Sequence, residues 1–132
     1  MKKLRGYIFS RPFMGERAPQ HVQNIILRNY CEKNNYFFLL SSVEYKMNNS
    51  FFMLELVIKE LKRLDGIIAY SIFQLPENDD WRKKILRKII KRKKEIHFAV
   101  EDFSVKKERD IQKLQEIWLI KKILKFCPQR IK

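Results

Sequence analysis

Asp65-Gly-Ile-Ile-Ala-Tyr-Ser-Ile-Phe-Gln-Leu-Pro-Glu-Asn-Asp-Asp80, continued by Trp81-Arg-Lys-Lys-Ile-Leu-Arg-Lys-Ile-Ile-Lys91, is the stretch on which the fold turns. Asp65-Gly66 turns the chain. Ile67-Ile-Ala-Tyr-Ser71 is then a short, unbroken apolar run, which predicts a strand buried on both faces rather than one with a wet side. Residues 72–80 read as a polar loop. Trp81, Ile85, Leu86, Ile89 and Ile90 recur at helical spacing, with basic residues between them, and predict an amphipathic helix.

The same strand-then-helix order occurs in the other three quarters of the chain. Gly6-Tyr-Ile-Phe-Ser10 leads through a Pro- and Gly-containing loop at 11–17 to a helix that opens on Pro19. That helix carries Val22, Ile25, Ile26 and Tyr30 and stops at Asn34-Asn35. Tyr36-Phe-Phe-Leu-Leu40 is followed by a polar loop at 41–50 and a helix marked by Leu54, Val57, Ile58 and Leu61, with Asn49 or Ser50 as its expected cap. Ile96-His-Phe-Ala-Val100 precedes a longer helix from Lys107 to about Phe126. Alternating apolar strands and helices predict an α/β fold: a four-stranded parallel sheet in the order 2-1-3-4, covered on both faces and joined by right-handed crossovers, as in flavodoxin-like three-layer sandwiches. One domain over 1–126 and a basic C-terminal tail at 127–132 are expected.

The chain has 132 residues and a net charge of +14, with 45% hydrophobic and 13% aromatic residues, which excludes a disordered basic arm. The charge is concentrated: 82–94 holds nine bases and no acid, 121–132 holds five and no acid, and the remainder is balanced. Lysine-rich helix faces commonly serve solubility, so the charge reads as a surface property with at most an auxiliary binding role, and nucleic acid is not the expected partner. Cys31 and Cys127 lack ligand spacing or a disulfide framework, so no metal and no cofactor is expected. No uncharged run approaches the roughly 18 residues of a membrane span and no signal peptide is seen, so a soluble, cytoplasmic protein is expected. The second half of the last helix, Ile117-Trp-Leu-Ile120 with Ile123 and Leu124, is apolar around much of its circumference. That predicts a homo-oligomer contact, or else a helix sunk against the sheet.

Ligands of open α/β sheets bind beyond the carboxyl ends of the strands. In this sequence those loops carry Ser10, Arg11, Glu16, Arg17, Gln20 and His21; Glu44, Tyr45 and Asn48; Tyr70, Ser71, Gln74, Glu77 and Asn78; and Glu101 and Asp102. The opposite end of the sheet looks poorer in such residues. Arg11 and Arg17 flank a helix start, where backbone N–H groups already favour an anion. Glu44, Glu77 and Glu101 are candidates for acid–base work, and Ser10 for a nucleophile, although no nucleophile-elbow motif surrounds it. His97, inside a strand, reads as a core histidine.

The third unit resembles the catalytic domain of the serine recombinases: Asp65 to Glu77 falls on D-x-[apolar]-V-V-x-x-L-D-R-L-G-R without a gap. Gly6-Tyr-Ile-Phe-Ser10 looks like the opening G-Y-x-R-V-S, and Gln23-Asn24 like the glutamine of the first helix. The resemblance places Ser10 near the nucleophilic serine, one residue early after Tyr7. It puts the two catalytic arginines on Gln74 and Glu77, and the first-strand arginine on Ile8 or Phe9. It therefore implies the fold and argues against strand exchange. Arg5-Gly-Tyr-Ile-Phe-Ser-Arg-Pro-Phe-Met-Gly-Glu-Arg-Ala-Pro-Gln-His-Val-Gln-Asn24, Tyr70-Ser-Ile-Phe-Gln-Leu-Pro-Glu-Asn78 and His97-Phe-Ala-Val-Glu101 are similar to the sporadic carbohydrate cluster family, small bacterial proteins encoded among surface-glycan biosynthesis genes. That resemblance implies a role in making a carbohydrate and no particular reaction.

Three readings follow. In the first, an anionic small molecule such as a sugar phosphate or nucleotide sugar binds at the carboxyl edge. Arg11 and Arg17 hold the anion, Gln20, Tyr45, Gln74 and Asn78 fix hydroxyls, and a glutamate handles protons. The second is a degenerate recombinase-like nucleic-acid binder using the third helix and the tail. The third is a non-catalytic scaffold for a glycan enzyme.

Overall fold

The structure, a computed structural model, describes residues 1–10, 18–44 and 51–126, with the backbone alone at 125 and 126. Its elements are β1 (Lys3–Phe9), α1 (Gln20–Lys33), β2 (Phe37–Glu44), α2 (Phe52–Lys59), β3 (Gly66–Ala69), α3 (Asp79–Lys91), β4 (Glu95–Phe98), β5 (Phe103–Val105) and α4 (Glu108–Phe126). Short 3-10 turns follow α2 at Glu60–Arg63 and β3 at Ile72–Gln74.

The sheet has the order β2-β1-β3-β4-β5. Its first four strands are parallel in the expected order, but β5 is antiparallel to β4, so the sheet is five-stranded and mixed rather than four-stranded and parallel. The stretch 101–107, expected to be a loop, holds this extra strand. A tight turn makes it: Asp102 takes a left-handed φ of 50° and its N–H donates to the Ala99 carbonyl at 3.2 Å. Three residues are too few for a period-two pattern to announce itself.

β2 also runs four residues past its expected end at Leu40. A register shift opposite Arg5 and Tyr7 admits an extra residue, and the strand continues through the polar Ser41-Ser42 pair. A Cβ on Gly6, opposite this bulge, would lie 2.2 Å from Ser41 Oγ. Polar residues are tolerated because β2 is an edge strand, half exposed along most of its length.

Among the described residues, one face of the sheet is covered by α1, through Leu4, Ile8, Leu27, Cys31 and Ile68. The stripe of α1 is not the expected one: Gln23, Leu27 and Cys31 are buried, whereas Ile25 is 52% exposed. The other face carries the larger core, in which Leu54, Val57 and Ile58 of α2, Ile85, Leu86 and Ile89 of α3, and Ile111, Leu114 and Trp118 of α4 pack on Tyr7, Phe9, Ile67, Ile96 and Phe98. Burying such side chains stabilises by about 1.5–3 kcal/mol each, which is why this three-helix layer fixes the fold. The second half of α4 is only partly sunk into the fold: Trp118 is fully buried and Ile117 packs against the core, whereas Leu119, Ile120, Ile123 and Leu124 are all more than half exposed.

β3 is short and fully buried, and it is squeezed between neighbours at its first residue. A Cβ on Gly66 would stand 2.3 Å from the backbone carbonyl oxygen of Glu95, an atom that cannot rotate away. Gly66→Ala is therefore expected to cost about 1–3 kcal/mol by forcing β3 and β4 apart. Urea unfolding should show a lowered midpoint at an unchanged slope.

Candidate functional site

At the carboxyl edge of the sheet, three polar clusters lie side by side, each joining one strand to the next. On the outside is Glu44, fully buried at the end of β2. Its carboxylate accepts the Tyr7 hydroxyl at 2.9 Å and the backbone N–H groups of Met53 and Leu54 at 3.1 and 3.2 Å. These N–H groups belong to the first turn of α2, whose N-cap is Phe51 and lacks a side-chain cap. Glu44 therefore does the capping expected of Asn49 or Ser50, both of which lie outside the described residues. Ser10 Oγ donates to the Glu44 carbonyl oxygen at 2.7 Å, in parallel with the Ser10 N–H at 3.1 Å.

In the centre are two glutamines with no exposed surface. Gln23 Oε1 accepts the N–H of Phe9 at 3.0 Å, and Gln23 Nε2 donates to the carbonyls of Phe9 and Ala18 at 2.9 and 2.8 Å. Gln74 Nε2 donates to Gln23 Oε1 at 2.8 Å, while Gln74 Oε1 accepts the N–H groups of Tyr70 and Ser71 at 3.1 and 3.4 Å. The reason is geometric. β1 pairs with β3 only as far as Tyr7 and Ala69, so Phe9 has backbone groups facing a neighbour that has already turned away. A primary amide supplies the missing peptide-like donor and acceptor.

On the inner side, Glu101 accepts the Ser71 hydroxyl at 2.8 Å and the Ile72 N–H at 3.0 Å, and Ser71 Oγ in turn accepts the Phe73 N–H at 3.2 Å. Glu101 is half-buried, so this is the cluster among the three with a carboxylate reachable from solvent. Of the other expected site residues, Gln20 and His21 are exposed in the first turn of α1, and Tyr70 is half-buried. Asn78 is the N-cap of α3, accepting the Trp81 N–H at 2.8 Å, so its side chain is spent on the helix. Glu77 is exposed, and its backbone carbonyl is the part engaged, accepting from Arg82 and Lys122. Arg11, Glu16, Arg17, Tyr45 and Asn48 lie outside the described residues. Among the described residues, no group of three or more His, Cys, Asp or Glu could hold a metal ion.

One residue counted with the basic face of the third helix belongs elsewhere. Arg82 is fully buried, with its guanidinium 4.3 Å from the Trp118 ring. It donates to the carbonyls of Pro76 and Glu77 at 2.9 and 3.2 Å, to Gln115 Oε1 at 2.6 Å, and to the Asp79 carboxylate. It thereby ties the loop after β3 to α4. Composition cannot separate it from its exposed neighbours. The hint available was position, since Arg82 lies three and four residues from Ile85 and Leu86 on the buried side.

His97 is buried as expected, on the α1 face, with both ring nitrogens partnered: Nε2 with the Glu95 carboxylate and Nδ1 with the Tyr30 hydroxyl at 2.9 Å. Lys2 completes the cluster at 2.8 Å from Glu95. Burial by itself would raise the Glu95 carboxyl, but hydrogen bonds from His97 and Lys2, with their charges, outweigh it and hold the group at about 2. Tyr30 is pushed up to about 12, by burial first and by the Asp102 charge second.

The fold is shared with known enzymes. The chain is similar to the N-terminal catalytic domain of TP901-1 integrase, with a TM-score of 0.66 and 13% identity over 92% of this chain and 99% of that one. It is similar also to a resolvase family site-specific recombinase from Streptococcus pneumoniae, with a TM-score of 0.65 and 10% identity over 92% of this chain and 89% of that one. No protein-family model matches the chain, and no curated protein matches it. At these identities the likeness is one of architecture: an α/β fold resembling resolvase catalytic domains. The comparisons lend nothing to the carbohydrate-cluster resemblance.

Two outcomes test the site's energetics. Gln74→Arg leaves the Tyr70 and Ser71 N–H groups without their acceptor and places a charge where no solvent reaches. A loss of about 3 kcal/mol is expected in chemical denaturation. Glu95 is held below its ordinary value of 4.5, so it stabilises the fold above that pH and loses the contribution as pH falls toward 2. Stability measured across this window should fall in the natural chain and fall less steeply in Glu95→Gln.

Proposed function

We propose that this protein is a nucleic-acid-binding domain of resolvase-like fold that does not exchange strands. The observation that carries this reading is the outer face of α3. Lys84, Arg87, Lys88 and Lys91 are all exposed and recur at three- and four-residue steps, which makes one cationic stripe. Two of them have surface partners, Arg87 with Glu108 at 2.9 Å and Lys88 with Glu55 at 3.3 Å. Exposed pairs of this kind are worth about 0–1 kcal/mol and give way readily to phosphate. The charge run, first read as a solubility feature, thus acquires a binding role. Its fold relatives are a site-specific recombinase and an integrase catalytic domain, which supports nucleic acid as the partner class.

Strand exchange is left out of the proposal for a chemical reason. Where the recombinase pattern has arginines, this chain has Gln74, committed to backbone N–H groups, and Glu77, an anion. Neither can stabilise a phosphorane-like charge as a guanidinium does. The reading takes 1–126 as one domain and 127–132 as a basic tail. It takes the exposed Leu119, Ile120, Ile123 and Leu124 of α4 as a contact with a second copy of the chain.

A second reading keeps the carboxyl edge as a site for a sugar phosphate or nucleotide sugar, with a role in surface-glycan biosynthesis. What favours it is that Glu101 and Ser71, 2.8 Å apart, stand at the edge to which the segments bearing Arg11, Arg17 and Tyr45 are attached. Ser10, Glu44 and Gln74 serve it as framework rather than as reacting groups.

Fluorescence anisotropy with a labelled duplex separates the two. Binding through four phosphate contacts predicts a slope of log affinity against log salt of about −3 to −4, flattened by neutralising Lys84, Arg87, Lys88 and Lys91 to Gln. A flat salt response, together with a rise in melting temperature on adding sugar nucleotides, would replace the first reading by the second.

A further inference from the structure

Both crossovers on the three-helix face, β2–α2–β3 and β3–α3–β4, return to the amino edge of the sheet, opposite the site discussed above. Between the two returns lies an open cleft of about 650 Å³ lined by Lys59, Lys62, Arg92 and Lys94. Every lining residue is a cation. From sequence this edge looked the poorer one, because its residues come from two connections 33 positions apart that only the crossovers bring together.

Ordinary surface chemistry does not account for the cluster. Cations are favoured at helix C-termini, and α2 and α3 both end here. However, each terminus carries about half a negative charge, so the two together offset about one of the four positive charges. Acids could neutralise the rest, yet the nearby ones are committed elsewhere. Glu55 pairs with Lys88, Glu60 with Arg5 at 2.9 Å, and Glu95 with Lys2 and His97, while Asp65 accepts the Lys3 N–H at 2.7 Å. Among the described residues, none of the four cations has an ion-pair partner. Arg92 is held in place: its Nη1 donates to the Ile58 carbonyl at 2.7 Å, which fixes the guanidinium against the end of α2.

From this concentration of unneutralised charge around one concavity, we infer that the amino-edge cleft binds a compact multivalent phosphate, of the kind a di- or triphosphate group presents. An anion with several charges relieves the mutual repulsion of all four cations at once, which a single carboxylate cannot. A positioned guanidinium beside ammonium groups is the donor set that phosphate oxygens accept. The volume is within the range of small-molecule sites. The cleft is separate from the α3 stripe proposed for nucleic acid, and neither assignment depends on the other.

Isothermal titration of the full chain with tripolyphosphate at low salt tests it. One molecule per chain is expected, with affinity falling by about tenfold or more in Lys62→Gln/Lys94→Gln and by less than about twofold in Lys84→Gln/Lys91→Gln. Melting temperatures without ligand should match that of the natural chain, showing that the variants fold. Absent heat, a stoichiometry above one, or equal weakening by both pairs would overturn the cleft. So would labelled-duplex binding that is lost in Lys62→Gln/Lys94→Gln and untouched by competing tripolyphosphate, since the cleft would then be part of a nucleic-acid track. Loss of duplex binding in the α3 variants with tripolyphosphate binding retained sinks neither claim, so the two proposals fail separately.

Discussion

Gln23 and Gln74 hold the carboxyl edge of the sheet together. Gln23 comes from α1 and Gln74 from the turn after β3, and they meet at 2.8 Å against the buried end of β1 that runs past its pairing with β3. Each bond contributes only about 1 kcal/mol net, but leaving a buried donor or acceptor unmade costs about 1–3 kcal/mol, so the cluster is valuable chiefly as a complete set. It lets β1 outrun β3 without stranding the backbone of Phe9. It also positions the chain that follows β3, where Ser71 meets Glu101 and the loop leads on to Arg82.

The neighbouring clusters repeat this logic with different groups. Glu44 replaces a helix cap and braces Tyr7, and Arg82 gathers two loop carbonyls, a glutamine and a tryptophan ring. A catalytic centre needs polar groups whose bonding capacity is left over for a substrate. At this edge most of that capacity is consumed by the fold. Gln74 faces inward to backbone N–H groups and to Gln23, whereas the side chain of Glu77 is exposed.

Charge follows a complementary pattern. The interior pairs, such as Glu95 with Lys2 and His97, are closed and local. Among the described residues, exposed positive charge gathers on the outer stripe of α3, where Arg87 and Lys88 have surface partners, and around the cleft at the amino edge, where none of the four cations has an ion pair. The net charge of +14 is therefore spread unevenly over the described surface.

The alternation of apolar runs with helical stripes was enough to establish the α/β class, because strand burial and helix amphipathicity are written in local spacing, and the order of the four parallel strands followed as the simplest flavodoxin-like arrangement of four such units. The expected core role of His97 was legible for the same reason. What local spacing could not carry was anything built from distant pieces. β5 exists because Asp102 accepts a left-handed turn, and β2 is long because Gly6 makes room for a bulge. Arg82 is interior because Trp118, 36 positions away, covers it. Asn78 and Glu44, read as candidates for ligand chemistry, are caps because helix N-termini lie within reach. The composition determined how much positive charge there is. Only the crossovers decided that four of those charges share one cleft, since through-space repulsion depends on distances that chain order does not contain.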